Sequence, residues 1–221
     1  MNQTRISSRF KQILLSVLGL ALIACAMALL SAASLGITPV QSVSYVLHSR
    51  FSLHFSIGTL CFFWNMLLLA LQILLLRSKF RVFDLLQIPL SLVFGFFVDA
   101  AEYLLVFVDP VSLVARCGVL LLGILVLAAG ITFNVRARFI MNTGEAAVYA
   151  ISTVSGKPFG AVKVLFDLSS VTLAVSVSFL LWGQWRLDII GPATLLCSML
   201  TGHFVKLYGI ILDRLERSKQ P

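Results

Sequence analysis

Six stretches of about 20 apolar residues, near 10–34, 56–76, 85–108, 112–134, 160–182 and 189–212, limit what this chain can fold into. Wound as a helix, a stretch of that length crosses the ~30 Å hydrocarbon core of a bilayer. Composition agrees: of 221 residues, 59% are hydrophobic and 12% charged, and mean hydropathy is +1.00. A soluble domain carries roughly a quarter of its residues as charges. The expected fold is therefore all-α, a polytopic membrane protein with about six transmembrane helices. The first stretch is too long for a removable signal peptide and lacks an A-x-A-type cleavage site followed by soluble sequence, so it is expected to remain as a span.

The net charge of +8 invites a nucleic-acid partner, but its distribution opposes one. With the N-terminus inside, the cytoplasmic segments hold Arg5, Arg9, Lys11, Arg77, Lys79, Arg81, Arg136, Arg138, Lys157, Arg214, Arg217 and Lys219. The external segments hold only Arg50, Arg116 and Arg186. That asymmetry is the positive-inside pattern, with both termini cytoplasmic. The lipid bilayer, not nucleic acid, is the expected partner of the basic excess. Cys25, Cys61, Cys117 and Cys197 fall in four separate spans without a C-x-x-C, which suits packing better than disulfide or metal chemistry.

A weak internal repeat organises the chain. A shift of 104 residues brings Gly19 onto Gly123, Ala24 onto Ala128, Tyr45 onto Tyr149, Phe55 onto Phe159 and Asp84 onto Asp188. A two-residue gap then aligns "FFWN" (62–65) with "VLFD" (164–167). Each unit, 10–108 and 112–212, carries three spans, and a short tail (213–221) follows. Because three is odd, the second unit is expected upside down relative to the first, the inverted architecture found in many transporters. Each unit also has a short interrupted segment, 35–55 and 142–160, too short to cross. Such a segment either re-enters the protein, where irregular backbone is tolerated, or lies flat at the interface.

Ionisable residues inside spans are costly unless paired or wetted, so they are the candidate pathway residues. Asp99 and Glu102 share a face of the third span, and His203 and Lys206 share one on the sixth; the repeat superposes the two pairs. Complementary pairing between them is one expectation, and snorkelling of Lys206 is the other. Lys163 and Asp167 have the i, i+4 spacing of an intrahelical ion pair. Glu145 stands in the second interrupted segment, where Thr143 would cap a short helix and Glu145 would sit in its first turn; a role in binding a cation or amine is the alternative. The first unit carries Gln41, Cys61 and Asn65 at the places of Glu145, Lys163 and Asp167, so a site is expected to be asymmetric.

"GEAAVYAISTVSGKPFGAVKVLFDLSSV" and "IGPATLLCSMLTGHFVKLY" resemble two signature regions of the YczE/YitT-type bacterial membrane proteins. The matching positions are Gly144, Glu145, Gly156, Phe159, Gly160, Lys163 and Asp167, then Gly191, Thr194 and Gly202. Pro192-Ala193 departs from the glycine such relatives carry before the threonine. The resemblance implies a bacterial inner-membrane location and names no substrate.

No phosphate-binding loop, zinc-spaced histidine set or nucleophile elbow is present, so neither an enzyme nor a cofactor is expected. The leading expectation is a secondary transporter or permease for a small solute or ion. The alternative is a scaffold or accessory subunit that binds a second copy or another membrane protein and moves nothing.

Overall fold

The computed structural model describes residues 2–137 and 139–217, so Arg138 and Lys219 lie outside it. Eight α-helices follow one another: α1 (Asn2–Ala33), α2 (Ser42–Phe51), α3 (Ile57–Leu76), α4 (Gln87–Leu104), α5 (Leu113–Ala137), α6 (Thr143–Ser155), α7 (Phe159–Trp182) and α8 (Pro192–Arg217). No strand occurs among the described residues. Six helices are long and apolar enough to cross a membrane, over Arg9–Ala33, Ile57–Lys79, Val82–Leu104, Leu113–Ala137, Phe159–Trp182 and Ala193–Leu212. The protein is an integral membrane protein, and its exposed leucines and phenylalanines (Phe96 70%, Leu180 84% exposed) form the surface that lipid covers.

Local signals set the helix ends. Ser56 caps α3, its hydroxyl accepting the Thr59 amide at 3.1 Å. Gly156 and Gly183 end α6 and α7 with φ of 68° and 67°, the left-handed conformation that costs glycine nothing. Pro158 then sets the start of α7.

The centre of the bundle is an antiparallel pair, α1 against α5, built by small residues. A Cβ on Gly19 would lie 2.8 Å from the Gly130 carbonyl oxygen, and one on Gly130 would lie 2.8 Å from that of Gly19. Further along, a Cβ on Gly123 would meet Leu30 at 3.0 Å and the Ala26 carbonyl at 3.4 Å. Backbones approach this closely in membranes because packing, not water exclusion, holds helices together there. Over half of the α1 span is enclosed (56%) against 11% of the α8 span, so α1 is axial and α8 peripheral.

α4 packs on α1 and α3, and α8 packs chiefly on α5. The α3–α4 contact is again glycine on glycine: a Cβ on Gly58 would strike the Gly95 carbonyl, and one on Gly95 would lie 2.6 Å from that of Gly58.

The two interrupted segments enter the bundle. Leu35–Thr38 leads inward to a 3₁₀ turn (Pro39–Gln41), from which α2 runs back to the surface. Pro39 and residues 41–46 are buried, whereas residues 50–56 are exposed. α6 repeats this layout: Thr143, Gly144 and 146–148 are buried, and its last residues, 153–155, are exposed. Each short helix packs against both α3 and α7.

Candidate functional site

The inner ends of the two short segments meet. A Cβ on Gly144, at the start of α6, would lie 3.1 Å from Cγ1 and 3.9 Å from Cβ of Val40 in the 3₁₀ turn before α2. Polar side chains from four helices gather around this contact.

On the α2 side they are uncharged. Gln41 donates from Nε2 to Oδ1 of Asn65 on α3 at 3.4 Å, and Ser44 donates to Gln41 Oε1 at 3.2 Å. All three residues are buried, and the chain of bonds leaves few of their polar atoms idle. On the α6 side they are charged. Lys163 and Asp167, one turn apart on α7, form an ion pair at 2.6 Å, with the Lys163 side chain 30% exposed and that of Asp167 7%. Glu145 lies within electrostatic reach of both. Its Oε2 is enclosed and has no hydrogen-bond partner among the described residues. Two carboxylates beside one ammonium carry a net charge of −1 when all are ionised. Taking such a cluster out of water is costly unless each charge finds a partner.

A second polar group, made of amides and hydroxyls, adjoins the first. Gln72 on α3 and Gln87 on α4 exchange side-chain hydrogen bonds at 3.3 and 3.1 Å, and Gln72 Nε2 also donates to the Thr143 carbonyl at 3.2 Å. Ser91 and Thr143 share a hydroxyl contact at 3.2 Å, and Ser16 donates to Asn134 at 3.3 Å between α1 and α5. Asn65, Gln87, Ser91, Asn134 and Thr143 line a cavity of about 10 Å³, room for the centre of about one water. Asn65 therefore belongs to both groups, and a continuous polar interior joins the Val40–Gly144 contact to the Gln72–Gln87 pair.

The structure brings together three of the seven charged residues singled out from the sequence: Glu145, Lys163 and Asp167. It does not join Asp99 and Glu102 to His203 and Lys206. Asp99 accepts from the Gly58 amide and the Ser56 hydroxyl, both at 2.7 Å, and so finishes the N-terminus of α3. Glu102 accepts from Tyr45 of α2 at 2.8 Å. His203 and Lys206 are exposed on α8, with His203 Nδ1 2.9 Å from the Met199 carbonyl oxygen of its own helix. Equivalent faces of α4 and α8 point to different neighbours: α4 is locked onto α3 by Gly58 and Gly95, whereas α8 carries Met199 at the place of Gly95 and packs chiefly on α5. Thr143 is not a capping side chain either; Asn142 is the N-cap residue and Thr143 turns to Ser91.

The turn before α8 has its own charge cluster outside the spans. Arg186 grips Asp188 with two bonds, at 2.9 and 2.6 Å, and stacks its guanidinium 5.2 Å from the Trp182 ring centroid. Those hydrogen bonds hold the Asp188 carboxyl below its ordinary range. In the turn between α3 and α4, Arg81 donates two bonds to Asp84, at 2.8 and 3.1 Å, and the pairing raises the arginine further.

Gln72, Gln87, Ser91 and Asn134 escaped the reading of the sequence because they carry no charge. The i, i+4 spacing of Gln87 and Ser91 and the i, i+7 spacing of Asn65 and Gln72 put each pair on one helix face, and that stripe was the available signal.

Residues 10–209 match a family of unknown function, DUF6198. The chain belongs to that family. The match spans α1 to most of α8 and so takes in the whole polar interior. No curated protein and no solved structure matches the chain.

Proposed function

We propose that this member of the DUF6198 family is a secondary transporter of the bacterial inner membrane. It passes a small solute or ion between two inverted halves, with both termini cytoplasmic. The observation that carries this reading is the contact of the two half-buried segments, Val40 on Gly144, beside Glu145 and the Lys163–Asp167 pair. Discontinuous helices meeting inside a bundle beside intramembrane charge are where transporters hold their cargo.

Inverted symmetry is part of the proposal, and three features support it. Val40 and Gly144 are themselves 104 residues apart, as the repeat register requires of residues on a two-fold axis. The ends of α1 and α5, Ala33 and Ala137, and the segments Pro39–Phe51 and Thr143–Ser155 keep the same offset. α3 and α7 begin 102 residues apart, at Ile57 and Phe159, because the connection before α7 is two residues shorter. Reciprocal contacts also recur: Gly19 meets Gly130, and Gly123, its counterpart, meets Ala26, the counterpart of Gly130. The YczE/YitT-type likeness is compatible with this reading and rests on the two motif regions, Gly144 to Asp167 and Gly191 to Gly202.

The test is thermal stabilisation of the purified protein against a panel of ions and metabolites, followed by flux in proteoliposomes. A specific hit that disappears in Asp167→Asn and Glu145→Gln is expected. A second reading, an accessory subunit, draws on the small cavity and on the intramolecular partners of Asp99, Glu102, Lys163 and Asp167. A flat panel across pH, with co-purification of a stoichiometric membrane partner, would replace the transport reading with that one.

A further inference from the structure

The likeness of the two halves breaks at one pair of helices. α4 lies against both α1 and α3. α8, its counterpart, lies against α5 as α4 does against α1, but it makes almost no contact with α7. The face of α8 that would receive a helix is therefore bare. Ser91, Gly95 and Val98 of α4 are buried, whereas Leu195, Met199 and Gly202, each 104 positions later, are exposed. Gly160 stands on α7 where Gly58 stands on α3, yet a Cβ on Gly160 or on Gly202 would meet nothing within 4 Å. α7 does not close the gap, because two glycines let α3 and α4 meet backbone to backbone and Met199 replaces one of them.

This face is not one that hydrocarbon suits. It carries His203 and Lys206, both exposed and both inside the Ala193–Leu212 span. Neither makes an ion pair among the described residues. Lys206 stands about 9 Å of helix from Leu212, within the reach of a snorkelling lysine. His203 stands about 13.5 Å from it, near the middle of the ~30 Å core, and its side chain is too short to reach water. A carbonyl only accepts, so Nδ1 carries the proton given to Met199, and Nε2 has no partner among the described residues. Ionisable side chains in spans otherwise face the interior or pair with one another.

We propose that this face of α8 docks a transmembrane helix of another membrane protein, one that carries a carboxyl group at the depth of His203. The repeat sets the shape, since α3 fills the same place on α4. His203 and Lys206 set the chemistry. A protonated carboxyl donates to Nε2, and an ionised one pairs with an imidazolium and with the Lys206 ammonium. A second copy of this chain does not supply that group. Asp84, Asp99, Glu102 and Asp167, the acids within its described spans, already accept hydrogen bonds from Arg81, Gly58, Tyr45 and Lys163. The inference uses the repeat register of the proposed function and holds whether or not the protein transports.

Two synthetic leucine–alanine transmembrane peptides serve as probes, one with aspartate at mid-depth and one with leucine there. The full-length protein, with a fluorescent donor at its C-terminus, is reconstituted in phosphatidylcholine vesicles with either peptide carrying the acceptor. Energy transfer to the aspartate peptide is expected at about one-tenth of the peptide-to-lipid ratio that the leucine peptide needs. Both residues are exposed, so H203L/K206L should keep the wild-type unfolding midpoint and lose the preference. If that variant fails to fold, H203F alone should weaken the preference severalfold. Equal transfer to both peptides, or a preference that survives in the variant, overturns the proposal. So does a dimer mass of the protein alone that H203L/K206L abolishes, which would put a second copy on this face. Flux is measured without peptide, so failure of either reading leaves the other standing.

Discussion

Asp167 is buried with, among the described residues, an ammonium as its only charged hydrogen-bond partner, and what happens when one member is removed is predictable in sign. In Asp167→Asn, Lys163 loses its hydrogen-bonded partner and keeps only the Glu145 carboxyl within electrostatic reach. Because the Lys163 side chain remains 30% exposed, the cost should stay at or below about 3 kcal/mol. Replacing the whole cluster, as E145Q/K163M/D167L, should cost less than the single change, since no charge is stranded. Unfolding midpoints in detergent measure both; equal or additive losses would contradict the pairing. Asp188 makes the pH-dependent case. Its folded carboxyl is depressed by Arg186, so the pair stabilises the protein above the ordinary value near ~3.9 and that contribution disappears as pH falls through the depressed folded value. Both partners are substantially exposed, so D188N should lower stability by only about 0.5–1 kcal/mol at neutral pH. The difference between D188N and wild type should vanish in strong acid.

At the scale of elements, the short segments decide the architecture, and they were also the hardest to place from the sequence. The long spans were legible because hydropathy over about 20 residues is a strong signal. Segments 35–55 and 142–160 looked equally suited to an interface, because Ser42, Ser44, Gln41 and Thr143 are the residues of a wet loop until partners bury them. The i, i+4 pair of Lys163 and Asp167 was readable because both ends lie on one helix. The partners of Asp99 and Glu102 were not, since spacing along a helix says nothing about which neighbour it faces. A Cβ built on Gly144 stands 3.9 Å from that of Val40, inside the ~3.5–4.5 Å spacing of a disulfide. The V40C/G144C protein should therefore crosslink under mild oxidation, as seen by a mobility shift that a reductant reverses. Gly144→Leu, which adds bulk at the same point, should part the two ends and lower the unfolding midpoint far more than Gly144→Ala. Ready crosslinking of V40C to a cysteine at the exposed end of α6 instead would contradict the tip-to-tip arrangement.

For the whole molecule, the proposed topology of six crossings returns the chain to the side on which it began, and puts the basic residues on that side. Reporter fusions at residue 1 and residue 221 should both be active as cytoplasmic reporters, and one placed in the turn after Trp182 should report the opposite compartment. Opposite results at the two ends would remove one of the six spans.

The glycine-and-alanine seam of α1 and α5 has one more consequence. Bulky side chains interlock as ridges in grooves, and two helices joined that way cannot roll without leaving their rotamer wells. Gly19, Gly123 and Gly130 supply the grooves here, and Asn134, Leu30 and Ile23 of the facing helix seat in them. The middle of the bundle is thus a keyed joint: to roll α1 on α5, Leu30 and Ile23 must first lift out of the slots that Gly123 and Gly130 leave for them.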